Sequence, residues 1–227
     1  MQNRSPRTVP DSRPRRRALS IIAALAFATF TPLAVAQQLY EDFLIAVAND
    51  RAAEVRAMLQ RGMDPNTVDA SGEPALVIAA RAGNAATVDV LLAGRANVNE
   101  RNRYGDTALM IAALNGRFDI VKKLRARGAE LDGAGWTALI YAATGGHDAL
   151  VGYLLAEGAK INAESPNGTT ALMMAVREGR FTTAELLVAR GADVNHRNQD
   201  GASALDWAKR NNDTQLIARL RRGGAKD

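Results

Sequence analysis

His147 and His196 are the only imidazoles in the chain, and there is no cysteine. These are the side chains on which acid–base, nucleophilic or metal chemistry would first be sought, and each needs companions. None is in view: the sequence has no His-Glu-x-x-His pair, no Gly-x-Ser-x-Gly elbow and no Gly-x4-Gly-Lys phosphate loop. Gly133-Ala134-Gly135 opens like a dinucleotide fingerprint but lacks the third glycine. Asn167-Gly168-Thr169 has the form of a glycosylation sequon, yet Asn-Gly reads first as a turn. The residues predict no enzyme, no cofactor and no metal. His147, directly after Gly146, reads as a structural hydrogen-bonding residue, and His196 as exposed or facing a partner.

Residues 1–36 read as a targeting segment. Arg13, Arg15, Arg16 and Arg17 precede an apolar run over residues 18–30, and Ala34-Val35-Ala36 supplies a cleavage motif, so cleavage is expected after Ala36. The run is short of the roughly 20 residues a spanning helix needs, which predicts no membrane span after cleavage. Arg16-Arg17 also suits a twin-arginine exporter, but general secretion fits the flanking residues better. Of the 29 basic and 24 acidic residues, the leader holds six and one, leaving 23 of each. A mature chain without net charge argues against a nucleic-acid partner. Without cysteine, stability rests on packing alone.

From Asp69 onward the sequence repeats itself. Gly72, Gly105, Gly135, Gly168 and Gly201 each precede a Pro/Thr/Ser-Ala-Leu triplet, for example Thr107-Ala108-Leu109 and Thr170-Ala171-Leu172, and all but one interval is 33 residues. A second series, Gly62, Arg95, Gly128, Gly158, Gly191 and Gly224, keeps the same rhythm and has the same single interval of 30. One period and one shared three-residue deletion, between Leu131 and Thr137, define a repeat array. Thr107, Thr137, Thr170 and Ser203 are placed to cap a first helix. The Ala pairs allow close helix approach, and Gly83, Gly116, Gly146 and Gly179 stop that helix in the left-handed conformation. Leu91-Leu92, Leu154-Leu155 and Leu186-Leu187 form the apolar ridge of a second helix, where Leu155 is expected to be buried.

The turn, the Ala-rich helix, the Gly and the Leu-Leu helix resemble the ankyrin repeat over residues 37–225. The resemblance implies an all-α fold: an ankyrin-repeat solenoid of stacked helix-turn-helix units with short β-hairpin or turn connections. It divides the chain into the signal peptide (1–36), an N-terminal capping unit (37–68), four internal repeats (69–195) and a C-terminal capping unit (196–227). The family's Thr-Pro-Leu-His appears here as Thr-Ala-Leu followed by Met110, Ile140 or Met173, so the His that bonds the Thr is absent.

In ankyrin arrays the hairpin tips and first helices line up as one concave binding face. The resemblance places Arg81, Arg103, Tyr104, Asp106, Trp136, Thr169, Arg177, Glu178 and Arg197 on it as partner-binding residues. Tyr104 and Trp136 are the sharpest, because exposed Tyr, Trp and Arg most often anchor interfaces. For Trp136 a second reading is equally open, in which it folds over the shortened hairpin as local core. The implied function is that of a non-catalytic, monomeric, periplasmic module holding one protein partner. Exported relatives suggest an enzyme of peroxide defence such as catalase, or alternatively a lipolytic toxin that an immunity protein neutralises.

Overall fold

The computed structural model describes residues 32–133 and 135–226, so the leader up to residue 31 lies outside the described residues. The chain divides between Tyr40 and Glu41 into two compact units. Of the first, the described part is the start of helix α1 (Pro32–Ala48), which contains the Ala34-Val35-Ala36 motif.

The second unit is the array. After α1 come α2 (Ala52–Gln60), α3 (Ala75–Ala82), α4 (Ala85–Ala93), α5 (Ala108–Leu114), α6 (Phe118–Ala126), α7 (Ala138–Gly145), α8 (Asp148–Ala156), α9 (Ala171–Arg177), α10 (Phe181–Ala189), α11 (Ala204–Arg210) and α12 (Thr214–Arg222). With α1 they make six helix pairs among the described residues, an all-α solenoid. Isolated antiparallel bridges, Val68 with Pro74, Arg101 with Thr107 and Arg197 with Ser203, close the hairpins between pairs.

Helices of seven to nine residues are marginal alone, and caps and packing hold them. Thr107, Thr137, Thr170 and Ser203 accept the N–H three residues on, from Met110, Ile140, Met173 and Asp206, at 3.2–3.4 Å. Where the family pattern has His, the Met110 thioether accepts the Thr107 N–H at 3.5 Å instead. The apolar face of α5 exposes almost nothing: Ala108, Leu109, Ala112 and Ala113 are at most 1% accessible. With small residues on that face, α3, α5, α7, α9 and α11 pack on one another more extensively than the second helices do.

In the second helices one register is sealed by leucine: Leu91, Leu124, Leu154 and Leu187 are fully buried. Leu155, expected in the core, is only partly buried, and so is Leu186. A helix turns 100° per residue, so the neighbour of the sealed leucine sits at the edge of the buried face: Leu92 keeps 6% exposure, Leu155 is more open, and the sealed residue of its pair is Leu154.

Two hydrogen-bond ladders stitch the pairs together. Along the loops, Asn66, Asn99, Asp132, Asn162 and Asn195 each accept an N–H from the next loop, those of Asn97, Glu130, Lys160, Asp193 and Lys226, at 2.7–3.1 Å. At the other end, residues capping a second helix reach back to the open carbonyls of the preceding first helix. Asn84 Nδ2 donates to the Val47 and Ala48 carbonyls, His147 Nε2 to Leu114 and Arg180 Nε to Thr144, at 2.9–3.1 Å. His147 is thus a structural donor, carrying its proton on Nε2.

Within the glycine series that follows the second helices, Gly62, Gly128, Gly158, Gly191 and Gly224 have φ between 85° and 97°. Arg95 holds the same place at φ 67°. An L-residue there is strained by about 1–2 kcal/mol.

Candidate protein-binding surface

Three hairpin tips share one device: a polar side chain at the start of the turn accepts the N–H groups two and four residues on, an Asx-type turn. Asn102 Oδ1 holds the N–H groups of Tyr104 and Asp106, both at 2.9 Å, and Asn198 Oδ1 those of Asp200 and Ala202 at 3.1 and 2.9 Å. Asp69 holds Ser71 and Glu73 at 2.8 Å. Burial opposes the ionisation of Asp69, but the Glu73 and Ser71 groups and the charge of Arg103 outweigh it and hold the carboxyl below its usual value.

These turns fix the side chains that face outward. Tyr104 is 69% exposed. Arg103 lies over its ring, with the guanidinium carbon 4.7 Å from the centroid, and donates to the Tyr104 hydroxyl at 2.6 Å. The stacked pair is therefore oriented before any partner arrives. Arg81 pairs with Glu73. Arg177 pairs with Glu178 at 3.0 Å and lies over the Trp207 ring, 5.8 Å from its centroid. Arg197 donates to the Gly201 carbonyl at 2.7 Å and to Asp206 at 3.1 Å. Each of these exposed pairs contributes about 0–1 kcal/mol to stability; their larger effect is to fix charge positions.

Two of the nine residues expected on this surface are not on it. Asp106 is 8% exposed and accepts the Tyr141 hydroxyl at 2.6 Å. Thr169 is 1% exposed, and its N–H donates to Ser165 Oγ at 3.0 Å. Both directly precede a capping Thr, where the chain turns inward. Trp136, in the same register, is half-buried, packs against the core and sits 5.8 Å from the Tyr141 ring. Of its two readings, the one in which it covers the shortened hairpin matches these contacts. Burial pushes the Tyr141 hydroxyl well above its usual value, with the hydrogen bond to Asp106 and that carboxylate's charge adding to it.

Tyr141 and Trp207 escaped the sequence reading. Each is the fourth residue after a capping hydroxyl, Thr137 and Ser203, so both share a register with Ile111 and Met174. Large aromatic residues recurring at one register next to the hairpins were the available signal. His196, for its part, bonds the Gly168 carbonyl through Nε2 at 2.8 Å and so ties two hairpins together.

Among the described residues no group of three or more His, Asp or Glu side chains is placed to hold a metal ion. No helix among them is long and apolar enough to cross a membrane.

The family model of ankyrin repeats, built from three repeat copies, matches residues 43–133 and 127–198. The chain belongs to the ankyrin-repeat family. Ankyrin repeats bind protein partners, and the family is typically non-catalytic. Curated relatives match over short stretches. A mitochondrial disaggregase of Bos taurus is 48% identical over 60 residues, 26% of this chain and 9% of that protein. Ankyrin repeat domain-containing protein 29 of Danio rerio is 42% identical over 55 residues, 24% of this chain and 18% of that protein. Alpha-latroinsectotoxin-Lt1a of Latrodectus tredecimguttatus is 34% identical over 92 residues, 40% of this chain and 6% of that protein. The chain thus covers less than a fifth of these relatives, and the similarity lies in the repeats.

Proposed function

We propose that this ankyrin array is an exported, periplasmic, monomeric module that holds one protein partner on a concave face made by its hairpins and first helices. The observation that carries the reading is the Arg103–Tyr104 pair. A large aromatic residue 69% exposed, stacked under a guanidinium at a hairpin tip, serves binding better than packing. The close packing of the Ala-rich first helices supports curvature toward their side. The basic leader, apolar run and Ala34-Val35-Ala36 motif support export. Among periplasmic partners, an enzyme of peroxide defence such as catalase is our first choice, and a lipolytic toxin neutralised by this chain the alternative.

A photo-crosslinking amino acid at position 104, activated in intact cells and followed by mass spectrometry, tests this reading. One dominant periplasmic protein is expected, with capture lost in Arg103→Ala and kept in Lys160→Ala. Products confined to the cytoplasm, or a spread of unrelated proteins, would sink it.

A further inference from the structure

The second helices lie further apart than the first, and in most repeats long side chains span the gap. Between α6 and α8 the Phe118 and Tyr153 rings meet at 5.4 Å, and Arg125 reaches Glu157 at 3.3 Å. Between α4 and α6, Lys123 pairs with Asp89 and Arg127 donates to the Leu92 carbonyl at 2.9 Å. The gap between α10 and α12 is bridged by Glu185 and Arg219, in the register of Asp89 and Lys123, and the residues beside that pair are apolar. Val188, partly exposed, stands at its side, and Ala184, Leu216 and Leu220, each 1% exposed, form the floor of a cleft of about 250 Å³. At Gly223 it closes on Val188: a methyl group there would lie 2.8 Å from the Val188 side chain.

The cleft has polarity along its length. Toward the start of the two helices it continues into a second hollow of about 420 Å³ lined by polar side chains such as Thr214 and Gln215. Glu185, Arg219 and Arg222 border both hollows. Glu185 is matched by Arg219 at 2.7 Å. Arg222 has no carboxylate within ion-pair distance among the described residues, so the net charge where the two hollows meet is positive. An apolar slot that opens at one end beside an unmatched guanidinium is complementary to an anionic amphiphile. The apolar part by itself is smaller than the ~300 Å³ at which pockets for drug-sized ligands begin, which suits a single narrow chain there.

We propose that the α10–α12 cleft binds a free medium-chain carboxylate, its chain between Val188 and Leu216 and its carboxylate on Arg222. The site lies on the second-helix side and is independent of the partner surface around Tyr104.

Titrating the full chain with decanoate below its micelle concentration, followed by amide NMR shifts, tests the assignment. Saturable shifts at Ala184, Val188 and Gly223 are expected. Arg222→Gln, on an exposed side chain, should weaken binding by about fivefold, and decyltrimethylammonium should bind more weakly by at least about that factor. Val188→Phe should block the slot, with an unchanged circular-dichroism spectrum showing that the helices persist. Equal binding of the two amphiphiles, or decanoate shifts located elsewhere, would overturn the proposal. So would binding to phosphatidylglycerol vesicles without binding to decanoate, which would point to a membrane surface.

Discussion

The hairpins at residues 102–106 and 132–136 hold the same place in neighbouring repeats, and the second follows a linker three residues shorter. In the first, two residues divide the work: Asn99 ties its loop to the next through the Glu130 N–H, and Asn102 holds the turn. Counted from Gly128, Asp132 stands where Asn99 stands; counted back from Gly135, it stands where Asn102 stands. The deletion merges two positions into one residue. Asp132 takes the inter-loop task, accepting the Lys160 N–H through Oδ2 at 3.1 Å, and its Oδ1 is buried without a partner among the described residues. Continuity between repeats thus takes precedence over local turn chemistry. The shortened turn is covered from outside instead. Arg101 lies so close over Gly133 that a methyl group there would be 2.5 Å from its guanidinium, and Trp136 packs beside Tyr141.

The comparison can be broken most directly in the core. If the deletion leaves the stack intact, Leu154→Ala beside the short hairpin and Leu187→Ala beside a full one should cost the same, about 2–5 kcal/mol each in denaturant unfolding. A much smaller loss at Leu154 would show a loosened repeat. Leu155→Ala, partly exposed, should cost clearly less than Leu154→Ala.

Turn chemistry gives the next largest effect. Asn102→Ala frees two N–H groups and should destabilise by about 1–3 kcal/mol, whereas Asp132→Asn keeps the Lys160 bond and should change stability by less than about 1 kcal/mol. Equal losses would mean that Asp132 also holds its own turn.

The linkers before the two hairpins differ as well, Arg95 leading to the full one and Gly128 to the short one. Arg95→Gly should raise stability by about 0.5–1 kcal/mol, as relief of positive φ exceeds the added freedom of the unfolded chain. Gly128→Ala should do the reverse. A melting temperature lowered by Arg95→Gly would show that the arginine side chain contributes more than its backbone strain costs.

The smallest effect lies in pH dependence. In the last hairpin the N–H and hydroxyl of Ser203, then Arg197 and Lys209, hold the Asp206 carboxyl below its usual value. A carboxyl with a lowered folded pKa stabilises above its unfolded pKa, and that contribution is lost as pH falls through the folded value. Asp206→Asn should therefore lower stability across the neutral range, where the contribution is full, and flatten its fall below about pH 4, where the variant and the parent converge. The corresponding cap in the shortened repeat, Thr137 with Ile140, has no carboxylate, so Ile140→Leu should leave that limb unchanged.

Much of this was legible in the residues. A period of 33 with one interval of 30, capping hydroxyls and Ala pairs dictate stacked short helices, because each feature acts within a few residues of chain and repeats. Tyr104 was legible for the same reason: a hairpin tip has nothing to pack against. What the sequence left open was decided across repeats, between side chains some 30 positions apart. Trp136 settles on Tyr141, Asp106 is drawn inward by the Tyr141 hydroxyl, and Leu154 rather than Leu155 is sealed. Register along one helix says which residues share a face. The neighbouring repeat decides which side chains on that face lie in water and which are enclosed, since burial is a property of the pair and not of either unit alone.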